Sequence, residues 1–156
     1  MIHYIIDGNN LIGKINFLHK MQQKDKQSSR EKLAFMIDNY FHDKKAKVTI
    51  HFDGYKNLPI KLNHAKIVYS ESKSADDKIK KQIELANSRK NLLVITSDKN
   101  IQEFARVCSC LIIKCEEFAK TIQSKKQDDE KDIIEKMNNN FNEWEKLFDR
   151  DEEQQL

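Results

Sequence analysis

The sequence predicts an α/β protein: a central, mainly parallel sheet of about five strands whose connections are largely helical. Three observations predict it. Five short runs rich in β-branched residues recur along the chain, and the stretches between them carry apolar residues at helical spacing. Parallel strands need a crossover, which is usually a helix. Only 3 glycines and 1 proline occur in 156 residues, where average usage gives about 11 and about 8. That scarcity excludes collagen-like, linker-like and proline-rich disordered chains, and a single domain of this length buries roughly 70% of its unfolded surface.

The first run, Ile2-His3-Tyr4-Ile5-Ile6, stops at Asp7-Gly8 and reads as a buried strand. Asn9 to Met21 sets Leu11, Ile15 and Leu18 at helical spacing, and Gln22 to Gln27 reads as a polar, basic connector. A second helix starts at Ser28-Ser29 and carries Leu33, Met36, Ile37, Tyr40 and Phe41 on one stripe. Val48 to Phe52 is the second strand, stopped by Asp53-Gly54, and Tyr55 to His64, with Pro59, is a loop. Lys66 to Tyr69 is a short strand. Ser74-x-x-Asp77 has the form of a helix N-cap before Ile79, Ile83 and Ala86. Leu92 to Thr96 is a strand, Asp98 to Val107 a helix, Leu111 to Ile113 a strand and Glu116 to Gln123 a helix. Ile133, Met137, Phe141, Trp144 and Phe148 form a final helical stripe expected to pack back on the sheet layer, with docking of a second protein through Trp144 as the alternative; Asn138-Asn139-Asn140 weakens a helix there. Residues 1–124 are thus expected to form the folded domain and 125–156 an acidic, partly helical tail.

Charge divides along the same line. From Gln127 to Leu156 there are 4 Lys+Arg against 11 Asp+Glu, which leaves the rest of the chain 24 against 14. A basic body points to a polyanionic partner such as nucleic acid, although a solvated lysine-rich surface has the same composition. Cys108, Cys110 and Cys115 lack a fourth nearby ligand for zinc and read as free thiols in a reducing cytoplasm. No signal peptide and no membrane-spanning stretch is expected.

Function is expected beyond the carboxyl ends of the strands. Asp7, Asp53, the pair Asp76-Asp77 and Thr96-Ser97-Asp98 fall at four successive strand-to-helix junctions and so share one rim. Taken singly, Asp77 and Asp98 are explained as helix caps and Asp53-Gly54 as a turn. Asp7 is harder to dismiss, because a carboxylate closing a central strand is expensive to desolvate. Four like charges on one rim would also raise each other's pKa values, which a divalent cation would relieve. Oxygen donors without His or Cys favour Mg²⁺ or Mn²⁺. At about 100° per residue, Asp76 lies within about 60° of the Ile79/Ile83 stripe and Asp77 nearly opposite, so Asp76 is the inward candidate and Asp77 a cap or supporting group. Gly8 and Gly54 each follow a rim aspartate, where the lack of a Cβ permits close backbone approach or a positive φ. Asn9 and Asn10 either cap the first helix or bond an aspartate or a phosphate.

Tyr4-Ile-Ile-Asp-Gly-Asn-Asn-Leu-Ile12, His51-Phe-Asp-Gly54, Ser74-Ala-Asp-Asp-Lys-Ile79 and Val94-Ile-Thr-Ser-Asp98, taken in order, resemble the NYN branch of the PIN-like nucleases, most closely its YacP-like members, over roughly Met1 to Gln123. The resemblance implies a three-layer α/β/α PIN-like fold, a Mg²⁺ or Mn²⁺ site and endoribonuclease activity on RNA, as mRNA or ribosome-bound RNA, with some relatives working at the ribosome. By position it implies that Asp7, Asp76 and Asp98 form the acidic, metal-holding core, that Asn10 and Asp53 support it, and that Ser97 orients Asp98. Thr96 is a further candidate support. The chain departs from the pattern at Cys108-Ser109-Cys110, where a glycine-containing turn is expected, and in its acidic tail, where relatives often carry a basic extension.

For RNA contacts the candidates are Lys14 and Arg30, with Lys20, Lys24 and Lys26 along the same connector, and Tyr55 and Lys56 beyond Asp53. An exposed aromatic there could stack on an unpaired base, which favours single-stranded or locally unpaired RNA. The rival readings are a non-catalytic RNA-binding or ribosome-associated factor, and a phosphatase. The latter usually places a second acid two residues after its nucleophile, which neither Asp7 nor Asp53 has. The sequence leaves monomer or homodimer open.

Overall fold

A computed structural model of the chain describes residues 1–124, 134–135 and 137–139. The chain divides into two compact units, Met1–Ile122 and Gln123–Leu156. In the second, 134–135 and 137–139 are helical, so Asn138 and Asn139 are accommodated in a helix after all. The expectation that Phe141, Trp144 and Phe148 dock on the sheet or on a partner falls outside the described residues.

The first unit runs β1 (Ile2–Asp7), α1 (Gly8–Gly13), α2 (Asn16–Lys24), α3 (Lys26–Tyr40), β2 (Ala46–Phe52), β3 (Lys66–Tyr69), α4 (Ala75–Leu85), β4 (Leu92–Ile95), α5 (Lys99–Val107) and β5 (Leu111–Ile113), followed by a helix, α6, over 115–124. All five strands are parallel, in the order β3-β2-β1-β4-β5. Strand alternation sends Ile6 to one face and Ile5 to the other, and each seeds a core. Ile6 joins Leu11, Ile12, Leu33, Ile37 and Phe118 under α1, α2, α3 and α6, while Ile5 joins Ile79, Ile83, Val94, Ile101 and Ala105 under α4 and α5. The architecture is therefore the expected three-layer α/β/α arrangement. Tyr4, Tyr40, Phe41 and Phe118 form an aromatic cluster with ring centroids 4.7–6.3 Å apart, which ties α6 to α3 and β1.

Two expectations about the first crossover need correction. The helix expected over Asn9–Met21 is two helices, because the chain turns extended at Ile15 (φ −114°, ψ 109°). Gly13, a poor helix former, ends α1 in open space, and the bend lets Ile12, Ile15 and Leu18 all reach full burial. The connector expected at Gln22–Gln27 is mostly helix: α2 runs to Lys24 and α3 starts at Lys26. Asp25, not Ser28 or Ser29, is its cap, accepting from the Ser28 amide at 3.2 Å. The loop after β2 is pinned to α3, since Asp38 accepts from the Asn63 and His64 amides (3.2 and 2.6 Å) and Gln27 donates to the Leu58 carbonyl (3.2 Å).

Ser109 takes φ 65° at the turn between α5 and β5, the left-handed conformation in which glycine is usual. The turn expected there from glycine is thus made by serine at some conformational cost. Replacing Ser109 by Gly should stabilise the protein by about 0.5–1 kcal/mol in thermal or urea unfolding. Gly8→Ala should do the reverse by about 1–3 kcal/mol, because a Cβ there would lie 2.7 Å from the His51 carbonyl oxygen and 2.6 Å from the Phe52 ring.

Candidate active site

The sheet winds one way from β1 to β3 and the other way from β4 to β5, so the crossover direction switches between β1 and β4. A crevice opens at the carboxyl ends of such a pair. Asp7, the last residue of β1, is there with only 5% of its surface exposed. The Thr96 hydroxyl, just past the end of β4, donates to Asp7 Oδ2 at 2.9 Å and accepts from the Asp98 amide at 3.1 Å. Burial lifts the Asp7 carboxyl to about 6. Thr96 and the Asn10 amide oppose the rise, and the charges of Asp76 and Asp53 add to it.

Asn9 and Asn10 reach outward to the two strands flanking β1. Asn9 Oδ1 accepts from the Asp53 amide at 2.7 Å, on the β2 side, and Asn10 Oδ1 accepts from the Ser97 amide at 3.1 Å, on the β4 side. Neither caps α1. Gly8 lets this turn lie against His51 and Phe52.

The other aspartates hold helix starts and face the same rim. Asp53 Oδ1 accepts from the amide of Ala75, the first residue of α4, at 2.8 Å. Ser74 accepts from the Asp77 amide at 3.2 Å, the capping contact expected of Ser-x-x-Asp. Asp76 is half-buried and its pKa is raised, first by burial and then by Asp98, with Asp53 and Asp77 adding and Lys80 opposing. Asp77 is exposed. Asp98 caps α5, accepting from Asn100 and Ile101 amides at 2.8 and 3.1 Å. The capping explanation of Asp98 is thus correct as far as it goes, and leaves the residue half-buried at the rim beside Thr96.

Three expected roles change. Ser97 does not orient Asp98: its hydroxyl accepts from the Cys115 amide (2.9 Å) and bonds Glu116, fastening the β5–α6 junction, while Thr96 contacts Asp98. Arg30 is 4% exposed and committed inward. It donates to the carbonyls of Tyr55 (3.2 Å) and Asp53 and lies 5.5 and 5.7 Å from the Phe52 and Tyr69 ring centroids. It shapes the loop that carries Tyr55 and is no solvent-facing RNA contact. Lys14 is paired with Glu116 at 3.2 Å, both partly exposed. Tyr55 (65% exposed) and Lys56 stand free at the surface, and Lys20 and Lys24 are also exposed. A cleft of about 310 Å³ runs beside Asp53, lined by Lys26, Gln27, Arg30 and Tyr55, with Gln27 Oε1 and Arg30 Nε buried and unpartnered in its walls.

Glu116 was missed among the rim residues, although it obeys the same rule as the aspartates by following the carboxyl end of β5, the fifth strand. Cys115 beside it is buried, its thiol pushed up to about 12 by burial and then by Asp7. The three cysteines are free thiols.

Among the described residues no three Asp, Glu, His or Cys side chains converge closely enough to form a ready-made metal cage. The donor set nevertheless fits a hard cation in its chemistry: carboxylates from β1, α4 and the cap of α5 repel one another, and the most buried is lifted to about 6. Among the described residues no helix is long and apolar enough to cross a membrane.

Known structures share this fold. The crystal structure of Rae1 (YacP) from Bacillus subtilis superposes with a TM-score of 0.73 at 22% identity, covering 86% of this chain and 81% of that one. A mutant of the same protein gives 0.69 at 21% identity, covering 83% and 79%. No curated protein sequence matches. The sequence profile of the YacP-like NYN domain matches residues 4–156, nearly the whole chain, and the protein therefore belongs to the YacP-like NYN domain family.

Proposed function

We propose that the protein is a divalent-cation-dependent endoribonuclease that cuts single-stranded or locally unpaired RNA at the acidic rim. The observation that carries this reading is Asp7: a carboxylate only 5% exposed, raised to about 6 by burial and further by the charges of Asp76 and Asp53. A purely stabilising role would not keep a buried carboxylate pressed against like charges. Membership of a PIN-like nuclease family supports RNase-type chemistry in general.

Asp7, Asp76 and Asp98 would hold Mg²⁺ or Mn²⁺, which when bound supplies a water of lowered pKa and neutralises charge on the scissile phosphate. Thr96 holds Asp7 and the Asp98 turn in one orientation. Asp53 fixes the first residue of α4 and with it the direction of Asp76. Tyr55 offers a free ring on which an unpaired base can stack, and Lys26 and Lys56 beside it contact the backbone. The unpaired Arg30 Nε and Gln27 Oε1 favour a polar occupant of the adjoining cleft. The substrate is RNA in the reducing cytoplasm, as mRNA or on the ribosome.

Purified protein should cleave an unstructured RNA, lose that activity in EDTA and regain it with Mn²⁺. Asp7→Asn should lower the rate about a hundredfold or more. Cleavage undiminished by EDTA would overturn cation dependence. RNA binding with neither cleavage nor Mn²⁺ uptake would identify a non-catalytic RNA-binding factor instead.

Stability gives a separate check. Asp7 titrates near 3.8 when unfolded and near 6 when folded, so the folded state holds an extra proton between these values and loses stability as pH rises through that window. Asp7→Asn removes the loss. The variant should be more stable than wild type at pH 7.5, by up to about 3 kcal/mol, and so melt at a higher temperature, and the gap should close near pH 4. Equal melting curves at pH 7.5 would contradict a compressed charge at Asp7.

A further inference from the structure

A second polar site lies along the sheet face that carries α4. There Ile79 and Ile83 cover β1, but the side toward β2 and β3 stays open and holds a cavity of about 610 Å³, a size typical of small-ligand sites (~300–1,000 Å³). His3, Thr49, His51 and Val68 form its floor, and Gln82 and Leu85 form a wall. The acidic rim contributes nothing to it. Lys47, Lys66 and Lys78 line it, and among the described residues no carboxylate does. An anion is the ligand class that such a lining favours.

The polar groups of the floor are hydrogen-bonded into one network through Gln82. Its Oε1 lies 2.6 Å from His51 Nε2, and its Nε2 donates to Thr49 Oγ1 (3.2 Å) and to His3 Nε2 (3.2 Å), which is also 2.8 Å from the Thr49 hydroxyl. A carboxamide oxygen only accepts, so His51 Nε2 carries the hydrogen; a carboxamide nitrogen only donates, so His3 Nε2 is an acceptor. His51 is 2% exposed, and its Nδ1 is buried without a partner. In the neutral ring that atom is an acceptor awaiting an N–H, and a buried acceptor is costly to leave unpaired.

We infer that this cavity binds a nucleoside phosphate, with the phosphate at the three lysines and an N–H of the base on His51 Nδ1. Val68, Leu85 and Leu92 supply apolar surface for the flat ring. A free nucleotide and the terminal nucleotide of an RNA share this chemistry.

Calorimetry on the full chain in EDTA, which keeps cations from the acidic rim, tests the inference with AMP, inorganic phosphate and 5′-phosphorylated triadenylate as probes. AMP should bind saturably, more tightly than inorganic phosphate, and about tenfold or more weaker in Lys47→Glu/Lys66→Glu. The imidazole Nδ1 resonance of His51 should shift as AMP is added. Triadenylate binding more tightly than AMP, and weakened by the same double substitution, would assign the site to an RNA end; the opposite order would assign it to the free nucleotide. No saturable AMP binding up to about 5 mM, binding unchanged in the double variant, inorganic phosphate as tight as AMP, or a static His51 resonance would each overturn the inference.

Discussion

The bond between the Thr96 hydroxyl and the Asp7 carboxylate is the contact on which the rest of the rim depends. Asp7 closes the middle strand of the sheet, where neighbouring strands exclude water on both sides, and an unsupported carboxylate there would simply take up a proton. Thr96 supports it from β4 and uses the same oxygen to receive the Asp98 amide. One buried hydroxyl thus sets two acidic groups of the rim against each other at fixed separation. Burial works against that support, with the charges of Asp76 and Asp53 adding to it, and leaves the carboxyl near 6 instead of near 4.

Much of this was readable from the sequence because the relevant signals are short-range. Each strand announced itself as an apolar run ended by a polar residue, and the acids at those ends were bound to share a rim once the strands were parallel. Asp76 and Asp77 were separable by helical phase alone, and they differ in exposure as that phase requires. What the sequence did not disclose rests on partners distant in the chain. Arg30 looked like a surface cation because arginine usually is one; its burial depends on the Phe52 and Tyr69 rings and on carbonyls about 25 residues away. Ser97 and Thr96 are adjacent hydroxyls with opposite destinations, and only the strand's alternation decides which meets Asp7. The bend at Ile15 likewise follows from packing three apolar residues under one sheet face.

The rim at the strand ends and the open sheet surface under α4 differ in charge. Acidic groups gather where the strands end, while the open β2–β3 surface under α4 is lined with lysines and neutral hydrogen-bonding groups. A negatively charged polymer approaching the rim would meet repulsion from these carboxylates. The lysines around Tyr55 and along α2 lower that barrier from the side.

The adjacent asparagines at the start of α1 have a mechanical consequence. Asn9 grips the strand on one side of β1 and Asn10 the strand on the other, at 2.7 and 3.1 Å. Asp53 and Asp98 belong to opposite wings of the sheet and are separated in the chain by β3, α4 and β4 with their loops. Through this dipeptide the wings are cross-braced at the lip itself, so a twist of the sheet carries both acids together and the spacing between them is insulated from motion in the loops.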